Sequence, residues 1–395
     1  MKIHILGIAG TFMSGIAILA KQKGHDVSGS DLANYDPIKS ILEKNNIDVT
    51  IGHKIKDIKD KDLIIIGNVM TRGNSVIEYI LKNKINFTSG PKWLYENILK
   101  NKKVIAISGT HGKTTTTSMI VHIMAKNKLN PSYLVGGDPK GNTSSVKLTK
   151  SEYFVIEADE YDTAFFDKQS KFMHYNPYIL LINNIEFDHA DIFDDIDDIK
   201  KQFHHLIKIV PQSGNIIYFK DDKNSSDLIK DGSWCGKTEI NSDSIKIDFK
   251  LMQLEIDNKK FSLEDLPLIG QHNFKNYISA ILAAKLDGVS INDSIESLKT
   301  FKGVRRRMEL VLDNSNIKAY DDFAHHPTAI RLSCAAIKEK YFNKKILGLI
   351  ELGSNTMSAG YHNDLLDSFK LLDQVFLLDR EQAYKYENSF NSTES

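Results

Sequence analysis

The sequence predicts an α/β protein of three domains built on doubly wound, mostly parallel sheets. Its 395 residues, of which 41% are hydrophobic and 26% charged, are enough for two or three ordinary soluble domains. Short apolar runs bounded by Gly, Asn or Asp are typical of strands buried on both faces. They cover residues 3–8, 62–67, 104–108, 153–159 and 178–184. Helical patterns at 74–83, 113–127 and 196–209 separate several of these runs, and this alternation favours parallel sheets.

Two boundaries divide the chain into residues 1–100, 101–310 and 311–395. The first follows a helix that closes in a lysine cluster, and the second follows "GVRRRME" at 303–309, after which another strand-to-helix passage begins. Residues 240–265 alternate in polarity, which predicts antiparallel strands at a sheet edge.

The charge balance and cysteine content exclude several classes of partner. Because 51 basic residues balance 51 acidic ones, we expect neither nucleic acid nor a membrane surface as a bulk partner. The two cysteines, Cys235 and Cys334, lack disulfide or metal-ligand spacing, which indicates a reducing, cytoplasmic environment. No uninterrupted apolar run reaches the roughly 18 residues of a membrane span.

A glycine-bearing turn between a strand and a helix, "SGTHGKTTTT" at 108–117, predicts a phosphate-binding loop. Ile107 stands where the common G-x-x-x-x-G-K-[ST] pattern has its first glycine, so the loop is shorter than usual. Backbone N–H groups at a helix N-terminus attract phosphate, Lys113 is expected to reach the β- and γ-phosphates, and Thr114 to ligate Mg²⁺. The alternative is a glycine-rich turn followed by a chance Lys-Thr pair.

Acidic side chains follow two later strands of the predicted sheet. Because the carboxyl ends of parallel strands meet at one edge, both groups should face the phosphate loop. Carboxylates with an imidazole suit a second Mg²⁺ or Mn²⁺, whereas each group alone could be a solvated loop. The groups comprise Glu157, Asp159, Glu160 and Asp162, then Glu186, Asp188, His189 and Asp191.

The N-terminal glycines Gly7, Gly10 and Gly15 also lie between a strand and a helix. They depart from the dinucleotide pattern G-x-G-x-x-G, so a nicotinamide dehydrogenase is poorly supported. The helix N-terminus could still meet a pyrophosphate, and Asp31 is suitably placed to contact a ribose.

Two further groups suggest nucleotide contacts. Asn273 and Asn276 share one helix face after His272, and their amides could bind an adenine edge unless Asn273 is only a cap. Among Arg305, Arg306 and Arg307, one guanidinium could reach a γ-phosphate; the alternative is a solvated basic linker.

Together these motifs resemble the Mur ligase family of ATP-dependent ligases, over essentially the whole chain. "GTHGKTT" at 109–115 matches the family's shortened loop G-[TS]-x-G-K-[TS]-[TS] residue for residue. The other matching features are Glu157, the N-x-x-x-D-H-x-D run from Asn184 to Asp191, H-N-x-x-N at 272–276 and Arg-Met-Glu at 307–309. The resemblance implies a Rossmann-like N-terminal domain, a central P-loop ATPase-like domain and a Rossmann-like C-terminal domain that is short here.

The resemblance also implies roles for individual residues. Lys113, Glu157, His189 and Arg307 are expected to act in catalysis, with metal at Thr114, Glu157 and His189. The implied ATP contacts are Gly109, Thr110, His111, Gly112, Lys113, Thr114, Thr115, Asn273, Asn276, Arg307 and Asp322. The implied UDP-sugar contacts are Gly7, Ala9, Gly10, Thr11, Phe12, Met13 and Asp31.

Within the family, "DDFAHHPTAI" at 321–330 is similar to the branches that act on UDP-N-acetylmuramate. One adds L-alanine and the other adds the tripeptide L-alanyl-γ-D-glutamyl-meso-diaminopimelate. Four stretches favour the tripeptide: "GIAGTFMSGIA", "EADEYDTAFFDKQSKFMHYNP", "NNIEFDHADIFDD" with "QFHHLIKIVP", and "SNTMSAG". A regulatory nucleotide switch is the alternative of another class, and no guanine-reading Asn-Lys-x-Asp motif supports it.

The sequence departs from the family pattern at two positions. His204 stands where related ligases carry a carbamate-forming lysine, which puts a carbamate metal ligand in doubt. Gly353 replaces an arginine of the tripeptide pattern, so contacts to the peptide's carboxylates are expected to differ.

Overall fold

The computed structural model describes residues 1–141, 144–188, 192–351 and 362–378. Within these ranges it confirms the predicted three-domain α/β architecture, with most strands parallel. None of the helices described has both the length and the apolar character that crossing a membrane requires.

The N-terminal domain is a five-stranded sheet with spatial order β3-β2-β1-β4-β5, parallel throughout. Its strands are β1 (Lys2–Leu6), β2 (Asp26–Asp31), β3 (Asp48–Ile51), β4 (Leu63–Ile66) and β5 (Phe87–Ser89). Its helices are α1 (Thr11–Gln22), α2 (Ile38–Lys44), α3 (Ser75–Lys82) and α4 (Gly90–Asn97), with 3₁₀ turns at Ile55–Asp57 and Leu99–Asn101. The order reverses between β1 and β4, so the loop after β1 opens at the switch point where such sheets bind ligands.

The central domain holds a seven-stranded sheet with order β14-β13-β12-β6-β9-β7-β8, in which β8 alone runs antiparallel to its neighbour. Its strands are β6 (Lys103–Ser108), β7 (Ser132–Leu134), β8 (Val146–Lys147), β9 (Tyr153–Glu157), β12 (Ile179–Ile182), β13 (Asn215–Phe219) and β14 (Gly236–Ile240). A separate hairpin pairs β10 (Asp162–Ala164) with β11 (Asp167–Ser170), and a 3₁₀ turn follows at Lys171–His174.

Helices cover both faces of this sheet. Val104 and Ala106 of β6 belong to one hydrophobic core while Ile105 and Ile107 belong to the other, so successive side chains point to opposite buried faces. Such two-sided burial explains why the strand runs are continuously apolar. The helices are α5 (Lys113–Lys126), α6 (Ile196–Lys208), α7 (Lys223–Asp231), α8 (Gln271–Leu286) and α9 (Ile291–Leu298).

The antiparallel strands predicted within residues 240–265 are present but do not extend the edge of the main sheet. They are β15 (Ile245–Asp248), β16 (Gln253–Ile256) and β17 (Lys259–Ser262), which form a small sheet of their own. Leu254 and Ile256 of the middle strand are buried in the second core of the central domain. The alternating pattern therefore marks one apolar face packed on the domain.

The C-terminal part begins with an antiparallel pair, β18 (Glu309–Asp313) and β19 (Lys318–Asp321). It continues through α10 (Pro327–Lys340), β20 (Leu347–Glu351), α11 (His362–Ser368) and β21 (Gln374–Leu378), in which β20 and β21 pair in parallel. Ile330 and Cys334 of α10 pack with Leu365 and Phe369 in a small core. This parallel pair with helices agrees with the Rossmann-like prediction.

Candidate active site

A cavity of about 920 Å³ lies where the three domains meet. The sheet register brings its central parts together, since Glu157 of β9 pairs with Ile107 of β6 and Ile182 of β12 pairs with Ser108. The loops after these strands therefore leave the sheet at one edge. Of the described residues that the resemblance implies as ATP, UDP-sugar or metal contacts, Gly109 and Ala9 are not at the cavity wall, and neither are Glu160 and Asp162 of the predicted acidic groups. Those at the wall are Gly7, Gly10, Thr11, Phe12, Met13, Asp31, Thr110, His111, Gly112, Lys113, Thr114, Thr115, Glu157, Asn273, Asn276, Arg307 and Asp322.

The short loop is built around two glycines in the left-handed region. Gly109 has φ +122° and Gly112 has φ +83°, conformations that residues with a Cβ rarely adopt. A Cβ on Gly109 would come 2.7 Å from the carbonyl oxygen of Asn184, and one on Gly112 would come 2.5 Å from Asn276 Oδ1. Ile107 is fully buried within β6, so it belongs to the strand and not to the loop.

Asparagines after β12 hold this loop from the side. Asn184 Oδ1 accepts a hydrogen bond from the His111 amide at 2.9 Å, and Asn183 Nδ2 donates to the His111 carbonyl at 3.2 Å. Gly112 caps α5 without a side chain, so no cap residue blocks the first-turn N–H groups. The loop therefore presents an uncapped helix N-terminus to the cavity, as a phosphate site requires.

Lys113 and Glu157 form the charged centre. Lys113 Nζ lies 3.3 Å from Glu160 Oε2, and Glu157 accepts from the Gly136 amide at 2.6 Å and from Thr114 Oγ1 at 3.2 Å. Burial lowers the pKa of Lys113, but the negative charges of Glu160, Asp159 and Glu157 outweigh it and leave the pKa raised.

Burial raises the pKa of Glu157 despite the hydrogen bond from Gly136 and the positive charges of Arg307 and Lys113. A half-buried carboxylate beside a threonine hydroxyl is a donor set that Mg²⁺ accepts. The residues present therefore fit a cation at Thr114 and Glu157.

The three consecutive arginines point in different directions. Arg305 pairs with Asp138 at 2.9 Å, and Arg306 lies 3.9 Å from Asp321. Arg307 Nη2 alone of the three reaches the loop, 3.4 Å from Thr114 Oγ1. Arg306 and Met308 both have positive φ, +56° and +48°, so a strained backbone residue flanks Arg307 on each side.

The N-terminal residues form the opposite wall. Gly7 has φ +76°, and a Cβ there would come 2.7 Å from Val69 Cγ2. Asp31 accepts from the backbone amides of Ala9 and Leu32, each at 2.8 Å, so the Ala9 backbone is used to orient that carboxylate. The N-terminus of α1 follows Gly10, which provides no capping side chain.

Asn273 and Asn276 line the cavity but already use much of their hydrogen-bonding capacity within the protein. Asn276 Oδ1 accepts from Thr116 Oγ1 at 3.1 Å, and its Nδ2 donates to Asn273 Oδ1 at 3.2 Å. Asn273 Nδ2 donates to the Ile269 carbonyl at 2.8 Å. These contacts tie α8 to the start of α5, and adenine recognition by the two amides stays a prediction.

Comparison with known proteins assigns the chain to a family. Residues 2–102 match the model for "Mur ligase family, catalytic domain", 107–284 the "Mur ligase middle domain" and 306–392 the "Mur ligase, glutamate ligase domain". The UDP-N-acetylmuramate–L-alanyl-γ-D-glutamyl-meso-2,6-diaminoheptandioate ligase of Escherichia coli is 44% identical over 387 residues, 96% of this chain and 85% of its own. The chain belongs to the Mur ligase family.

Other members of the Mur ligase family are also similar. The UDP-N-acetylmuramate–L-alanine ligase of Clostridium botulinum is 34% identical, over 95% of this chain and 82% of its own. The crystal structure of a murein peptide ligase from Psychrobacter arcticus aligns with a TM-score of 0.78 at 38% identity, over 95% of this chain and 84% of that one. As a Mur ligase, the chain is an ATP-dependent ligase of peptidoglycan metabolism.

Sequence reasoning missed one contact between the Mur ligase's C-terminal part and its phosphate loop. Thr328 Oγ1, at the start of α10, donates to Glu186 Oε2 at 2.7 Å, and His326 Nε2 faces the Phe187 carbonyl at 3.1 Å. His111 Nε2 lies 3.5 Å from the same Glu186 oxygen. The motif "HHPT" at 325–328 does indicate a helix start, because His326 caps α10 before Pro327. No local sequence pattern shows that this helix start contacts Glu186.

His111, Glu186 and His326 place ligand atoms within 4.8 Å of one another, a spacing that could hold a metal. However, His326 Nδ1 accepts from the Thr328 amide at 3.2 Å, which leaves Nε2 to donate to Phe187. Both ring nitrogens are therefore in use. Burial raises the pKa of Glu186, but polar interactions with His111 and Thr328 and the positive charges of His111 and His326 outweigh this and lower it to about 2. The cluster acts as a hydrogen-bonded contact between domains.

The remaining predicted residues lie outside the described ranges, lie away from the cavity wall or have contacts of another kind. His189, Asp191, Gly353 and the stretch "SNTMSAG" at 354–360 lie outside the described residues. His204 lies on α6 and is not among the described residues that line the cavity. Asp322 does line it and accepts from Ser333 Oγ, while its contact with ribose stays a prediction, as do the domain boundaries and the cytoplasmic location.

Proposed function

We propose that this Mur ligase joins L-alanyl-γ-D-glutamyl-meso-diaminopimelate to the lactyl carboxylate of UDP-N-acetylmuramate, with ATP as the phosphoryl donor. The observation that supports this most is the convergence of Lys113, Thr114, Glu157 and Arg307 at the N-terminus of α5. The same cavity extends to Phe12 in the N-terminal domain and to Thr328 and Leu332 on α10. We place the nucleotide sugar beside the first and the amine beside α10.

The reaction has two steps, phosphoryl transfer and amide formation. A lactyl carboxylate oxygen attacks the γ-phosphorus of ATP, the bond to the bridging oxygen breaks, and ADP leaves with that electron pair. The tripeptide's amine then attacks the acyl phosphate carbonyl, loses a proton and expels inorganic phosphate, which leaves an amide. Activation is required because a carboxylate is a poor electrophile at neutral pH.

The chain contributes positioning and charge to these steps. The N-terminus of α5 and Lys113 bind phosphate oxygens, and Arg307 reaches the same side of the loop as Thr114. Glu157 and Thr114 would hold Mg²⁺, which supplies positive charge against the phosphate oxygens when bound. A second metal at Glu157 and His189, and its replacement by Mn²⁺, are further parts of the proposal.

The choice of tripeptide over L-alanine is supported by the relatives, since the ligase named for the tripeptide is 44% identical and the one named for L-alanine 34%. The test measures phosphate release from ATP, Mg²⁺ and UDP-N-acetylmuramate with each acceptor separately and in competition. We expect release with the tripeptide and little with L-alanine. Release with L-alanine and none with the tripeptide would overturn the acceptor assignment. Release at the same rate with and without an acceptor, with no amide product, would overturn the ligase proposal.

A further inference from the structure

A short segment that lines the same cavity as the phosphate loop carries two polar side chains with no role in the two reaction steps proposed for this enzyme. Lys171 begins the 3₁₀ turn after the β10–β11 hairpin, and Tyr175 follows that turn directly. Both side chains line the cavity although Lys171 is only 9% exposed and Tyr175 fully buried. A cationic and a hydroxyl side chain so enclosed need partners, because buried polar groups are costly when unpaired.

The Lys171 ammonium lies between two domains. Its Nζ is 3.1 Å from Asp159 Oδ2, two residues after the Glu157 that fits Mg²⁺. It also lies 5.7 Å from the ring centre of Phe12 in the N-terminal domain and 5.3 Å from that of Tyr161. An ammonium has three N–H donors, so the ion pair with Asp159 leaves capacity for a ligand.

The Tyr175 hydroxyl has no hydrogen-bond partner among the described residues. Burial raises its pKa well above the usual range, and the negative charges of Asp159 and Glu157 raise it further, so the phenol stays protonated. A protonated hydroxyl in a carboxylate-rich cavity can donate to a ligand oxygen. This unpaired group is independent of the ion pair at Lys171 and points to the same occupant.

We propose that Lys171 and Tyr175 bind the substrate carboxylate that receives the γ-phosphoryl group. The inference rests on the proposed function, which requires that carboxylate to reach from the N-terminal domain to the metal side of the cavity. Lys171 spans that path, from Phe12 to the carboxylates after β9. The ATP phosphates have their own donors at α5 and Lys113, so a second group of donors in this position serves the acceptor oxygen.

The experiment compares Tyr175→Phe and Lys171→Met with the wild-type enzyme, and Tyr133→Phe, a buried tyrosine away from the cavity, is the matched control. Steady-state phosphate release gives kcat and the KM for each of the three substrates. Loss of a hydrogen bond to a charged group is expected to raise the KM for UDP-N-acetylmuramate about 10-fold in each variant. The KM for ATP is expected to change less than about two-fold, and Lys171→Arg should restore part of the loss.

Stability and a second ligand separate binding from a structural role. Tyr175→Phe removes only an unpaired buried hydroxyl, so its melting temperature should equal or exceed that of the wild type. Inhibition by UDP-N-acetylglucosamine, which lacks the lactyl carboxylate, should be unchanged in both variants. Equal weakening of both nucleotide sugars, or a raised KM for ATP instead, would overturn the assignment.

The kinetic results distinguish a wrong assignment of Lys171 and Tyr175 from a wrong proposed function. If the wild type turns over UDP-N-acetylmuramate and both variants keep its KM, the assignment of Lys171 and Tyr175 is wrong and the proposed function stands. If the wild type shows no turnover with UDP-N-acetylmuramate, the proposed function is wrong, and the carboxylate assignment falls with it.

Discussion

Gly112→Ala tests whether the short loop depends on its backbone geometry. The left-handed conformation at φ +83° costs a residue with a Cβ about 1–2 kcal/mol. The new Cβ would also come 2.5 Å from Asn276 Oδ1 and 2.9 Å from Asn183 Nδ2, two amides that are almost fully buried. If they retreat, hydrogen bonds to Thr116 and His111 weaken, at about 1 kcal/mol each. We therefore expect a total loss of about 3 kcal/mol in unfolding free energy.

Gly288→Ala supplies the matched control. Gly288 has a similar φ, +87°, but a Cβ there would meet nothing within 4 Å. It should cost only the conformational part, about 1 kcal/mol, because reduced freedom of the unfolded chain offsets some of the strain. Urea unfolding of both variants therefore measures the clash as the difference between them.

Phosphate release then measures the consequence for function. A displacement of the loop by about 1 Å is enough to lower kcat/KM for ATP about 100-fold. The control should keep its activity within about two-fold, because it lies outside the cavity-lining residues described. If Gly112→Ala matched Gly288→Ala in both stability and kcat/KM, the crowding by Asn183 and Asn276 would not constrain the loop, and the reasoning would fail.

Four further predictions concern charge and domain contact. Lys113→Met should lower kcat at least about 100-fold at saturating ATP, measured by phosphate release, and Arg307→Lys should lower kcat by about 10-fold because a fixed guanidinium fork is lost. Thr328→Val should raise KM for the amine more than for ATP, since it frees α10 from Glu186; equal changes would contradict this. The lowered pKa of Glu186, about 2 against 4.5, means that its contribution to stability is present above pH 4.5 and is lost as the pH falls toward 2. The difference in urea unfolding between wild type and Glu186→Gln should shrink over that window and be constant above it.

The strands and the phosphate loop were predictable because their signals are local. Each of the five apolar runs coincides with a parallel strand within one or two residues of its ends, since two-sided burial leaves a continuous hydrophobic segment. The loop was predictable because its backbone has positive φ at two positions, and this conformation requires glycines that are visible in the sequence. The carboxylates after β9 and β12 followed from the geometry of parallel sheets, and Glu157, Asp159, Glu186 and Asp188 do line the cavity.

The remaining parts of the site depend on contacts between distant segments, which no local pattern specifies. Thr328 and Glu186 are 142 residues apart in the chain, and Arg307 and Thr114 are 193 apart. Nothing in the sequence distinguishes Lys171 from a surface lysine. Its burial follows from the packing of a 3₁₀ turn against Phe12. The prediction of a sheet edge at 240–265 was wrong for the same reason, because alternation reveals a buried face but not the element that covers it.

Two residues from late in the chain, Arg307 and Thr328, contact residues around the phosphate loop. Arg307 reaches Thr114, the first threonine of α5, whereas Thr328 reaches Glu186, which lies against His111 before that helix. A ligand that moves the loop therefore acts on both contacts, and a movement of α10 acts on the residues that hold the loop. Because binding coupling is reciprocal, a nucleotide site that favours this arrangement of the loop when occupied also favours the observed position of α10. Under the proposed function, ATP and the amine are therefore expected to bind cooperatively without any contact between them.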